Sequence, residues 1–266
     1  MKQLYRFIVR HRFWTSVVLS MLLCGATTCF GAILQFPVWH IVRMDLILLF
    51  LCILCPLLCG NKLMTDAVKK LHNTCDPYPL LQETEFLLQH AKPGIMQQAY
   101  QINHCFALDT LGEFQKALEG LTSINIDRYM LMTAIDKYVY YNNLAELYKN
   151  LGMTDLGDLW MQKAIQFYTD TKNFWIKRQY TRVFLMNEAE RCCKNGEHAK
   201  ALEILKGIQP IHKLQSIQLA LRYGEIAIAL GDTESAKAQY AFVIRNGNKL
   251  RHVDEARKAL IELQKD

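Results

Sequence analysis

The chain has 266 residues, of which 51% are hydrophobic, and a formal net charge of +6. This length leaves room for a membrane region and one soluble domain. Residues 1–60 hold five Lys and Arg side chains against Asp45 alone, whereas the rest of the chain carries 26 basic and 24 acidic side chains. Since nucleic-acid binding depends on a concentrated basic field, we expect no nucleic-acid partner for the soluble part.

The first predicted element is a membrane-spanning helix over residues 13–34. The run from Phe13 to Leu34 contains 22 residues and no charge, enough to cross about 30 Å of hydrocarbon as a helix. A cleaved signal peptide is the alternative, because basic residues precede the run. Its apolar core would usually have about 7–15 residues and end at an A-x-A-like site. The length of this run therefore favours a span.

A second apolar run predicts a span over residues 41–60, with the side chain of Arg43 reaching the interface. Between the two spans, residues 35–40 are predicted to form a tight interfacial loop, because Pro37 breaks a helix and Trp39 prefers the headgroup layer. Residues 1–60 are thus predicted to be a transmembrane hairpin in a lipid bilayer.

The distribution of Lys and Arg predicts the orientation of this hairpin. The N-terminal flank carries four basic residues and the flank after the second span carries Lys62, Lys69 and Lys70, whereas the loop between the spans has a single one. Basic flanks stay in the cytoplasm. We therefore predict a multi-pass protein of the cell membrane whose soluble domain is cytoplasmic. For a cytoplasmic domain we expect its cysteines to be free thiols rather than a disulfide framework.

Residues 61–93 are predicted to form a linker and lead-in helices. A helix over residues 80–90 is set off by prolines on both sides, since Pro77, Pro79 and Pro93 flank it. Residues 61–73 are predicted to continue the second span into the cytosol or to form a short linker helix.

Residues 94–266 show an internal repeat, anchored on four turn glycines: Gly112, Gly152, Gly196 and Gly231. Small residues recur seven positions before and five positions after each glycine, and apolar residues recur twelve after. A glycine ends a helix in the left-handed conformation at little cost, and small residues let two antiparallel helices approach closely. We expect Ala145 and Ala164 to face each other in one such pair. Residues 254–263 are predicted to be a capping helix with an apolar face.

The strongest repeat, from Tyr141 through Ala145, Tyr148 and Gly152 to Ala164, resembles the tetratricopeptide repeat family, as do residues 112–118 and 231–236. The resemblance covers roughly residues 95–248. Its glycines are 40, 44 and 35 residues apart, against about 34 in the family. It implies an all-α fold in which two transmembrane helices precede an α-solenoid of about four helix pairs and a capping helix.

No catalytic motif occurs in the sequence, so we predict neither an enzyme nor a cofactor or metal site. One polar register stands out nine residues before each turn glycine: Asn103, Asn143, Asn187 and Arg222. The resemblance places this register in the concave groove of the repeats, where amides can clamp the main chain of an extended peptide and an arginine can bind a carboxylate. Arg178 and Arg182 favour an acidic or C-terminal ligand.

The same register is compatible with two further interpretations. The amides can bridge neighbouring repeats, or their recurrence can be coincidence. From the sequence we expect a membrane-anchored adaptor that binds a protein or peptide partner. A receptor that senses a small peptide and a structural subunit of a membrane transport or secretion complex are the alternatives.

Overall fold

The computed structural model describes residues 1–126 and 134–265. Residues 127–133 and 266, which fall in the predicted repeat domain 94–266, lie outside this description. The described residues form thirteen helices and no β-strand, so the all-helical prediction is confirmed. Their bounds are α1 Lys2–Arg10, α2 Arg12–Ile33, α3 Val38–Thr74, α4 Tyr78–His90, α5 Ile95–Leu111, α6 Phe114–Thr122, α7 Ala134–Asn150, α8 Thr154–Asp170, α9 Phe174–Lys194, α10 His198–Lys206, α11 Lys213–Ala229, α12 Thr233–Asn246 and α13 Arg251–Glu262.

The chain divides into two units, and the first comprises residues 1–67 and 89–91. Within it, α2 and α3 are long and apolar enough to cross a membrane, and most of their surface is exposed. The predicted loop over residues 35–40 is too long, because α3 already begins at Val38. Gln35 makes the turn instead, with a left-handed φ of 53°.

Polar contacts join α2 to α3 at two levels. Pro56 lies inside α3 and has no N–H, so the carbonyl of Cys52 four residues earlier loses its helical donor. The hydroxyl of Ser16 on α2 donates to that carbonyl at 3.0 Å. Nearer the turn, the hydroxyl of Thr27 donates to the carboxylate of Asp45. Such internal pairing is what a helix hairpin needs where water is scarce.

The second unit comprises residues 68–88 and 92–266. Its helices follow one another as four pairs, α5 with α6, α7 with α8, α9 with α10 and α11 with α12, and each helix packs against its partner. Buried clusters fill the space within and between the pairs: Leu121 and Leu144 lie in one, Ala189 and Leu205 in another. The helix faces that point away from these clusters carry exposed charged residues.

The four turns that join the helices of a pair have the same geometry. Each turn glycine has a φ between 77° and 84°, a range in which a side chain is strained. At Gly152 the glycine N–H donates to the carbonyl of Lys149, and the N–H of Met153 donates to the carbonyl of Tyr148. The same two bonds recur at Gly112, Gly196 and Gly231. This is the Schellman ending of a helix, and it explains why the sequence repeats around glycine.

Ala145 and Ala164 do not face each other as expected. The residue opposite Ala145 is Gly157, where an added Cβ would lie 3.1 Å from the carbonyl oxygen of Ala145. Ala164 instead belongs to a buried aromatic cluster with Tyr138 and Tyr168. The helices of this pair therefore cross closest near the turn, where their side chains are smallest.

The C-terminal part of the second unit returns to its beginning. The capping helix α13, which begins at Arg251 rather than 254, packs on α11, α12 and also on α5. Just before it, the N–H of Lys249 donates to the carbonyl of Cys75 at 3.3 Å, and the amide of Asn248 donates to the carbonyl of Thr74 at 2.9 Å. These contacts hold the segment before α13 against the end of α3.

Candidate interaction site

The first helices of the four pairs share a polar surface, which α13 joins. Its side chains form two groups that are each held by ion pairs and hydrogen bonds, and together we call them the charged network. The first group is Glu146, Lys149, Glu190, Arg222 and Glu225, and the second is Asp109, Asn150, Arg251 and Glu255. Glu146 interacts electrostatically with Asp109 and Arg251 of the second group. The residues of the network come from α5, α7, α9, α11 and α13. Because each first helix turns the same face toward its neighbours, residues far apart in the chain meet here.

Arg222 lies at the centre of three carboxylates. Its guanidinium is 3.0 Å from Glu225, 3.2 Å from Glu190 and 3.8 Å from Glu146. Desolvation opposes the charge of Arg222, but the three glutamates outweigh it and raise its pKa. The guanidinium is therefore held charged, and its donors are directed at the protein's own carboxylates.

Glu190 pairs with two cations from different helices. The ammonium of Lys149 is 2.6 Å from one of its oxygens, and Arg222 contacts the other. Burial raises the pKa of Glu190, but these two cations and Lys194 of its own helix, 4.0 Å away, more than compensate and hold the pKa below its ordinary value. Only 14% of the Glu190 side chain is exposed, so these attractions are screened less than those of a surface pair.

Asp109 lies at the other end of the network. The amide of Asn150 donates to its carboxylate at 3.2 Å, and Arg251 of α13 approaches it at 3.8 Å. Burial raises the pKa of Asp109 to about 6, although Arg251 acts in the opposite direction. Arg251 also pairs with Glu255 on its own helix. The charge of Arg251 is thus divided between two carboxylates, which leaves Asp109 incompletely compensated.

A cavity of about 100 Å³ adjoins the network between α9, α10 and α11. Its polar side is formed by Glu190, Arg222 and Glu225, and its apolar side includes Leu205 and Ile226. An aliphatic chain that ends in a polar group has this combination of surfaces. The cavity therefore presents a charged side and an apolar side to the same space.

The structure places two of the predicted binding residues against the protein itself. The amide of Asn103 donates to the carbonyl of Ala99 in its own helix at 2.9 Å. Asn187, 5% exposed, donates to the side-chain oxygen of Asn142 at 2.8 Å. Asn187 is therefore paired within the fold rather than exposed. Its bond joins α9 to α7, which is the bridging between repeats that the sequence left open.

The remaining predicted residues are not brought to one place. The amide nitrogen of Asn143 is buried without a hydrogen-bond partner in the described part of the chain. Arg182 donates to the carbonyl of Gln209 at 2.8 Å, and Arg178 is exposed. Arg222 was expected to bind a carboxylate of a ligand. The structure does not favour this role, because three carboxylates of the chain already surround its guanidinium.

A repeated signal for this surface is present in the sequence, beside the register of Asn residues. Glu146, Glu190 and Glu225 each stand six residues before a turn glycine. Glutamate is common on exposed helix faces, so its recurrence alone does not point to a site. Lys149 and Asn150, which follow Glu146 on the same helix, also lie in the network.

Among the described residues, no group of three or more His, Cys, Asp or Glu side chains is arranged to hold a metal ion. All nine cysteines are free thiols. No protein-family model matches the chain, and no curated protein or solved structure matches it either.

Proposed function

We propose that this protein is a membrane-anchored adaptor whose cytoplasmic repeat domain binds a segment of a protein partner at the charged network. The observation that carries the proposal is the network itself, in which one face of each first helix contributes to a single partly exposed surface. Repeat proteins bind partners on surfaces of this kind, because stacked repeats line up equivalent side chains.

We propose further that the four helix pairs form a tetratricopeptide-like solenoid. The four Schellman turns and the close approach of Gly157 to Ala145 support this arrangement. Each pair is too small to bury its apolar face alone, so neighbouring pairs must stack. The helix α13 packs on α5 as well as on α11 and α12, so it links the last helix pair to the first.

The partner segment that fits the network is basic rather than acidic. Three cations, Lys149, Lys194 and Arg222, are shared there among four carboxylates, those of Glu146, Asp158, Glu190 and Glu225. A ligand carboxylate would be repelled by these glutamates, whereas a lysine or arginine side chain would be attracted. Its aliphatic stem would lie along Leu205 and Ile226 in the neighbouring cavity.

The membrane anchor is the hairpin of α2 and α3. Its apolar side chains are largely exposed, including Leu22 and Phe50, which is costly in water and favourable in lipid. A reporter active only outside the cytoplasm tests the orientation. Fused after Asp266 it should be silent, and inserted between Pro37 and His40 it should be active. Activity of the C-terminal fusion would overturn the cytoplasmic adaptor and favour the signal peptide.

Photocrosslinking in native membranes tests the adaptor itself. A benzophenone side chain at Ala229, which is exposed and lines the cavity, should capture one cytosolic protein. The same group at Glu203, exposed on α10, serves as a matched control and should capture none. Glu225→Lys should abolish capture at Ala229 by reversing a charge of the network.

Each alternative function predicts a different result in that experiment. Capture of a short free peptide at Ala229 would replace the adaptor by the peptide-sensing receptor. Capture only by groups placed in α2 or α3, of membrane proteins in equal amount, would replace it by the structural subunit. Capture that Glu225→Lys leaves intact would refute the basic segment.

A further inference from the structure

The helix α1 carries an apolar and a basic surface next to the first candidate span, and on the basic surface Lys2 and Arg10 are exposed and Arg6 is half-buried. Leu4 and Phe7 are each 55% exposed, whereas Val9 is buried within the first unit. At about 100° per residue, Lys2, Arg6 and Arg10 fall within an arc of roughly 80° beside the surface of Leu4 and Phe7. This helix is therefore amphipathic along all its nine residues.

A break in the helical backbone separates α1 from α2. His11 has a φ of −105° and a ψ of 30°, so α1 ends at Arg10 and α2 begins at Arg12. The break places α1 at the level where the apolar run of α2 starts. Two large apolar side chains exposed at this level would be in contact with the boundary between acyl chains and headgroups.

We infer that α1 is an anionic-lipid binding helix, which sets Leu4 and Phe7 into the edge of the bilayer and its basic arc against lipid phosphates. The inference rests on the proposed membrane anchor, since α2 brings α1 to the lipid surface. Its charge fits the occupant: α1 and the nearby residue Arg12 contain basic side chains and no acidic one. The cytoplasmic leaflet is the anionic one, in agreement with the predicted orientation.

The size of the electrostatic contribution follows from the charges. Each Lys or Arg near an anionic surface strengthens binding about five-fold at physiological salt. Arg6→Gln together with Arg10→Gln should therefore weaken the preference for anionic lipid roughly 25-fold. Lys206→Gln together with Lys265→Gln, at exposed positions of the second unit, removes the same charge and should leave the preference unchanged.

The test uses the full chain in nanodiscs, made of phosphatidylcholine alone or mixed with phosphatidylglycerol. A spin label is attached through a ketone-bearing residue, which avoids the nine native thiols. Label positions are Leu4 on the apolar surface, Gln3 at the border of the basic arc and Leu22 within α2. Collisions with oxygen report the acyl region, and collisions with a water-soluble nickel chelate report water.

With phosphatidylglycerol present, the label at Leu4 should collide mainly with oxygen and that at Gln3 mainly with the nickel chelate. The contrast should weaken in phosphatidylcholine alone and in the Arg6→Gln, Arg10→Gln variant, but not in the Lys206→Gln, Lys265→Gln control. Equal exposure of Leu4 and Gln3 to water, or no effect of the arginine substitutions, would overturn the inference. A label at Leu22 that is exposed to water would instead overturn the membrane anchor itself.

Discussion

Replacing Asp109 by Asn removes a carboxylate whose pKa is raised in the folded state, so that its ionised form destabilises the fold. Burial raises this pKa to about 6, the nearby glutamates Glu146 and Glu255 add to it, and Arg251 and Asn150 compensate only in part. Asn has nearly the same shape and keeps an oxygen to accept the hydrogen bond from Asn150. The substitution therefore changes the charge with little change in packing.

The magnitude follows from the change in pKa on folding. The pKa of the Asp109 carboxyl rises from an ordinary value of 3.8 to about 6 in the folded state, a difference worth about 3 kcal/mol at roughly 1.4 kcal/mol per unit. Since the folded state binds the proton more tightly, the contribution of Asp109 to stability is highest at low pH. It falls as the pH rises through the window from about 4 to 6 and stays low above it. Asp109→Asn should escape this loss.

Thermal unfolding of the full chain in detergent micelles, followed by circular dichroism over a pH series, measures the effect. The two proteins should melt together near pH 3.5 and diverge as the pH rises, until the variant is more stable at pH 7. A difference of 1–3 kcal/mol corresponds to about 2–12 °C for a domain of this size. Buried histidines such as His252 give an opposite pH dependence, but they cancel because they are present in both proteins.

Two outcomes would refute this reasoning. If Asp109→Asn melted lower at neutral pH, the attraction between Asp109 and Arg251 would outweigh the cost of burying the carboxylate. If the difference between the proteins did not depend on pH, Asp109 would have an ordinary pKa in the folded state. Its surroundings would then be more open to water than the 15% exposure of the Asp109 side chain indicates.

The remaining predictions concern the turns and the Asn bridge. Gly152→Val should lower the free energy of unfolding by about 1–2 kcal/mol, because a β-branched side chain is strained at a φ of 78°, and Gly152→Asn should cost less, since Asn tolerates that conformation. Equal melting of the two variants would contradict the left-handed turn. Asn187→Ala should cost about 1–3 kcal/mol by leaving Asn142 unpaired, and adding Asn142→Ala should cost less than the sum of the single changes. Strict additivity in denaturation experiments would show that the bridge contributes nothing.

The sequence by itself determined the helical class of the chain and the turns within the helix pairs. The run of 22 residues without a charge, 13–34, predicted a helix long enough to cross a membrane, and α2 is that helix. Gly112, Gly152, Gly196 and Gly231 marked the helix ends, because a left-handed φ selects glycine locally, whatever lies nearby. The capping helix begins three residues before its predicted start, since fraying makes helix ends the least defined part of a periodic pattern.

Only the tertiary structure decided which faces meet. Helical periodicity shows that Glu146, Glu190 and Arg222 lie on one face of their helices, but not that α7, α9 and α11 turn those faces toward each other. The return of α13 to α5 brought Arg251 beside Asp109, 142 residues earlier in the chain. Ser16 and Cys52 likewise meet only because the hairpin sets their register. A local pattern fixes the conformation of one helix, whereas partners distant in sequence are chosen by the packing of the whole unit.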